Sequence, residues 1–118
     1  MYDLVTQISR EYNRPMIEIT ECGCCYMDTP YDKEGGRGPD ERRTAFFRAT
    51  LAELARAIAD GANVRAFHAW SLMDDFEWTD GYSQRYGLTY VDFRDQKRIV
   101  KDSGLWYSRV AETNRLKA

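Results

Sequence analysis

At 118 residues the chain suits one modest domain rather than two. With 43% hydrophobic and 31% charged residues it reads as soluble and globular, and a formal net charge of −2 gives no electrostatic basis for a nucleic-acid or membrane partner. No run approaches the ~18 apolar residues of a membrane span, the opening "MYDLVTQISREYNRP" lacks a signal-peptide core, and Cys22, Cys24 and Cys25 fit no disulfide framework, so a reducing, cytoplasmic setting is expected.

Residues 2–12 carry Leu4, Val5, Ile8 and Tyr12 at helical spacing, with Asp3 in the first turn, and Pro15 forces the helix to end before it. Residues 16–20 alternate as a short strand. The stretch at 27–39 holds two prolines and three glycines and reads as a long loop, a length often tied to function. Asp40 is placed to cap a helix running to about residue 60, with Phe47, Leu51, Leu54 and Ile58 as its buried stripe and Gly61 as its stop.

Residues 64–70 read as a second strand, with Val64, Ala66, His68 and Trp70 on one face and Arg65, Phe67 and Ala69 on the other. A second long loop follows, then an extended piece at 88–93 and a final helix from near Asp102 that uses Leu105, Trp106 and Val110. Two strands separated by a helix imply a parallel pair with a right-handed crossover. A two-stranded parallel sheet is not self-sufficient and needs both faces covered. The fold class is therefore α/β, and incomplete as an isolated chain.

Chemistry concentrates at the strand ends. "MIEITECGCCY" ends its strand on Glu21 and breaks into a glycine-containing loop, which suits an active site, a thiolate metal site or plain packing. The second strand ends in Trp70 and runs into a loop carrying Phe76, Glu77 and Trp78. Aromatic faces beside carboxylates suit a sugar, whose C–H faces stack on rings while its hydroxyls need acceptors. Zinc ligands are usually spaced more widely than C-x-C-C, which weakens the metal alternative.

The motifs "ITECG", "AWSLMDDFEW", "GYSQRYGLTYVDF" and "QKRIVKDSGLWY" together resemble the last quarter of a family 1 glycoside hydrolase, the family of β-glucosidases and β-galactosidases. The resemblance covers nearly the whole chain. It implies that residues 1–118 are the C-terminal part of one (β/α)8 TIM-barrel domain, about strands seven and eight with their helices. In such barrels function sits at the C-terminal ends of the strands.

The resemblance also implies roles. Glu21 matches the nucleophile of a retaining β-glycosidase, which forms a glycosyl-enzyme intermediate. Glu77 matches the acceptor of glycone hydroxyls, Trp78 a donor to the sugar, Trp70 the glycone platform, and Tyr86 a residue lining the same subsite. Neither metal nor cofactor is implied. The substrate class is a terminal β-glucoside or β-galactoside.

The departures set limits. No "NEP" motif is present to supply the acid/base carboxyl, so the 118 residues by themselves are expected to be inactive. They are expected to partner the N-terminal remainder of the barrel, or to self-associate; a start just before a helix boundary suggests a split, trimmed or cleaved enzyme. A non-catalytic sugar-binding fragment and a self-assembling structural piece are the competing readings. Cys22 stands where the family has Asn, and a thiol beside a carboxylate is expected to have a raised pKa. Asp74 and Asp75 read as loop-structuring residues. His68 is expected inside the barrel, and Glu18 toward the covering helices, paired with an arginine if with anything.

Overall fold

The computed structural model describes residues 1–28 and 38–116. Of the loop predicted at 27–39, residues 29–37 lie outside the described part. Helix α1 spans Tyr2–Glu11, and the chain then turns through Asn13 and Arg14, both at φ 56°. That left-handed turn is pinned when the Arg14 guanidinium donates to the Gly61 carbonyl at 2.8 and 3.1 Å. Strand β1, Ile17–Cys22, pairs in parallel with β2, Val64–Ala69, and the crossover between them contains helix α2, Glu41–Ala59.

Among the described residues the helices pack on one face of the strand pair. Val5 of α1, Leu54 and Ala57 of α2 and Ala62 form the buried cluster, with Ile17, Ile19, Val64 and Phe67 packed against it from the strands. Helix α3, Asp102–Thr113, joins this layer through Tyr107, whose ring packs on Phe47 and Phe67 at centroid distances of 5.8 and 6.4 Å. The radius of gyration is 15.9 Å, against about 13.5 Å for a rounded domain of this length. The chain is a flattened slab of 49 × 34 × 19 Å.

Several sequence expectations need correction. The first strand runs two residues beyond Thr20, so Glu21 lies on β1 rather than after it. On β1 the alternation of Ile17, Glu18 and Ile19 holds, but Ile17 and Ile19 rather than Glu18 face the helices; on β2 Phe67 faces the helices as expected, and Val64 departs because the register steps from Val64 to Ala66. An extra residue in a strand breaks the period of two. Val64 and Phe67 thus both pack toward the helices, while Glu18 stands on the opposite, uncovered face. There Glu18 meets the His68 imidazole at 2.8 Å, and each side chain is a little over half exposed. Its partner is a histidine on the neighbouring strand, not an arginine.

In the helices, Leu4, Tyr12, Ile58 and Leu105 of the predicted stripes are exposed. The extended piece is strand β3, Thr89–Val91, and it pairs antiparallel with β4, Arg98–Val100, which sequence reading left unassigned. Asp40 is the first flanking residue of α2, but its carboxylate makes no cap bond there. It caps α3 instead, accepting from the Ser103 backbone N–H at 2.7 Å and from the Ser103 hydroxyl.

Candidate active site

The two strand ends are tied to each other through backbone. The Trp70 N–H donates to the Cys22 carbonyl at 2.8 Å, and a Cβ on Gly23 would fall 1.9 Å from the Trp70 carbonyl oxygen. Only glycine lets the chain after Glu21 pass this close to Trp70. The strand-end geometry therefore rests on main-chain atoms, and Cys22 need not supply the hydrogen bond that an Asn side chain would. Burial raises the pKa of the Cys22 thiol. The direction is as expected, but the carboxylate neighbour is not its source.

Glu21 is exposed on β1. Seven residues beyond Trp70, Glu77 accepts a long 3.4 Å hydrogen bond from the Trp70 indole N–H. Its backbone N–H donates to the Gly81 carbonyl at 2.7 Å, closing a tight turn around the 3-10 segment Trp78–Asp80. Trp78 stands out at φ 34°, 83% exposed. An edge contact between Phe76 and Tyr82, at 5.5 Å, and a tilted one between Tyr82 and Phe93, at 4.6 Å, pack beside the turn.

Tyr86 is half-buried, and its backbone carbonyl accepts from the Ser71 N–H at 3.3 Å, which places it beside Trp70. Its hydroxyl pKa is pushed up to about 12, first by hydrogen bonding to the Cys25 thiol, then by burial and by negative charge at Cys25 and Glu77. The hydroxyl therefore stays protonated across any working pH and serves as a neutral donor. Burial, followed by the charges of Glu77 and Asp74, raises the pKa of Asp75. Trp70, Glu77 and Tyr86 are thus brought together next to the β1 end that carries Glu21, while Trp78 marks the rim.

Behind this wall lies a buried ionic network that the sequence reading saw only as Asp74. The Asp74 carboxylate accepts from Arg85 Nη1 at 2.7 Å, Lys101 Nζ at 3.0 Å, and the backbone N–H groups of Gly87 and Val91 at 2.9 and 3.3 Å. Arg43, fully buried, reaches Asp28 at 2.6 Å, Asp40 at 2.9 Å and the Arg85 carbonyl at 2.6 Å. Burial works against the Arg43 charge, but the bonds to Asp40 and Asp28 outweigh it and raise the pKa. One signal for Arg43 was available: it sits four residues before Phe47 and continues the buried stripe of α2 by one turn. Among the described residues no group of three His, Cys, Asp or Glu side chains could hold a metal ion.

Comparison with known proteins places these features in context. The sequence pattern described as "Glycosyl hydrolase family 1" matches residues 1–116. A 1,4-beta-D-glucan glucohydrolase from Thermotoga neapolitana is 43% identical over 116 residues, covering 98% of this chain and 26% of the relative. A 6-phospho-beta-galactosidase from Staphylococcus epidermidis is 42% identical over 118 residues, covering 99% of this chain and 25% of the relative. The solved beta-glucosidase from Thermotoga maritima in complex with glucoimidazole superposes with a TM-score of 0.92 at 43% identity, over 98% of this chain and 26% of that one. The chain spans about a quarter of the length of the relatives it matches.

Proposed function

Because the chain belongs to glycosyl hydrolase family 1, whose β-glucosidases are (β/α)8 barrels, we propose that it forms strands seven and eight of such a barrel and supplies one wall of a retaining β-glucosidase site. The observation that supports the proposal is the backbone junction of β1 and β2, which ties the strand end carrying Glu21 to Trp70, itself hydrogen-bonded to Glu77. Glu21 attacks the anomeric carbon as a carboxylate, and the aglycone leaves as a glycosyl ester forms. Water then releases the sugar. Glu77 accepts from glycone hydroxyls, Trp70 offers its ring face, and Tyr86 and Trp78 donate. The acid/base carboxyl, which retaining chemistry needs ~5–5.5 Å from the nucleophile, comes from the remainder of the barrel.

A neutral glycone fits better than a 6-phosphorylated one. The wall carries the carboxylates Glu21, Asp75 and Glu77, and Arg85 is already committed to Asp74 and to the Val91 carbonyl. A phosphate there would meet like charge. Occupation by the remaining strands also accounts for the uncovered face and for the outer edges of β1 and β2, which among the described residues are unpaired.

The test completes the barrel with the first three quarters of the Thermotoga maritima β-glucosidase. Nitrophenyl β-glucoside is turned over by the completed barrel and not by the 118 residues alone. Glu77→Ala lowers kcat/KM by about 10–100-fold, the worth of one or two hydrogen bonds to a charged acceptor. Activity in the 118 residues alone, or a completed barrel that prefers the 6-phosphate, would contradict the proposal.

A further inference from the structure

We propose that Lys101 is a positioning residue whose buried ammonium locks the loop after β1 to the loop after β2, and so fixes the distance between the nucleophile and the glycone-binding wall. The inference rests on the sugar-site reading above and adds a residue that touches no sugar. Lys101 is 1% exposed and lies at the start of α3. Its Nζ donates to Asp28 at 2.6 Å and to Asp74 at 3.0 Å. Asp28 follows Glu21 by seven residues, and Asp74 precedes Glu77 by three. One cation thus holds both chemical segments.

The remaining contacts show why this differs from general support. Each carboxylate has a second cation: Arg43 for Asp28 and Arg85 for Asp74. Asp74 also binds the Gly87 and Val91 amides, and a Cβ on Gly87 would fall 2.2 Å from the Asp74 nitrogen. Removing the Lys101 charge therefore leaves each loop its own anchor. What disappears is the one ammonium that both carboxylates share: Arg43 still ties Asp28 to the Arg85 carbonyl, but two buried carboxylates that met at Lys101 now repel each other. The loops should separate rather than unfold.

The experiment uses Lys101→Met and Lys101→Arg in the completed barrel, with deoxynojirimycin as the glycone-site probe. Lys101→Met is expected to weaken deoxynojirimycin binding about tenfold or more and to lower kcat/KM by at least as much, the scale of one lost charge-assisted contact. Amide exchange at Asp28 and Gly87 should accelerate while that of Ile19 in β1 is unchanged. Lys101→Arg, which keeps the charge, should restore most of the binding. Binding within twofold of the parent, with only the melting midpoint lowered, would overturn the inference; so would faster exchange throughout β1 and β2. Exchange does not depend on turnover. A parent barrel that fails to bind sugar therefore counts against the sugar site, whereas an unmoved variant counts against the clamp.

Discussion

Glu21→Gln in the completed barrel is expected to lower kcat on a nitrophenyl β-glucoside by about 10⁴-fold or more, the scale at which loss of a covalent nucleophile is felt. That corresponds to about 5 kcal/mol of transition-state stabilisation. Glutamine matches glutamate in shape, so the strand end, fixed by the Trp70-to-Cys22 backbone bond and by Gly23, has no reason to move. What is lost is the negative charge facing the oxocarbenium-like centre and the oxygen that would close the ester. The measurement is steady-state kinetics beside deoxynojirimycin binding. A large kcat loss with binding retained supports the nucleophile. A loss below tenfold contradicts it.

Arg43→Met should have the largest effect on stability. Its guanidinium is fully buried and serves Asp28, Asp40 and two backbone carbonyls, those of Cys24 and Arg85. Methionine fills similar space but leaves two buried carboxylates short of a cation, a change that costs about 3–5 kcal/mol. The melting midpoint of the completed barrel should fall by roughly 5 °C or more. Arg43→Lys should recover only part of this, because an ammonium cannot reach carboxylates and carbonyls with one planar fork. A midpoint unchanged within a degree would show that the network is dispensable.

The family of this chain was more legible than its faces, because the motifs that carry it are contiguous and reading them required only the order of residues. The direction of Val64 depended on the extra residue in β2, which leaves no mark in residue type, whereas for Glu18 the alternation was right and the face that meets the helices was inverted. The Glu18–His68 contact follows from that inversion, since it puts Glu18 on the face where His68 was expected. β4 escaped notice because Arg98–Val100 is three residues long and alternates too briefly to show a period. The cap at Ser103 comes from Asp40, 63 positions earlier, and no local capping rule reaches that far.

As a proposed nucleophile, Glu21 would bond a carboxylate oxygen to the anomeric carbon of the sugar. Incubating the completed barrel with a dinitrophenyl 2-deoxy-2-fluoro-β-glucoside tests it most directly. The good leaving group departs without help from the acid, while the fluorine slows release of the ester, so the intermediate accumulates. Mass spectrometry of the digest should place one fluoroglucosyl group on Glu21, and none in Glu21→Gln. A label on another carboxylate, or turnover of the reagent with no label on Glu21, would contradict the account.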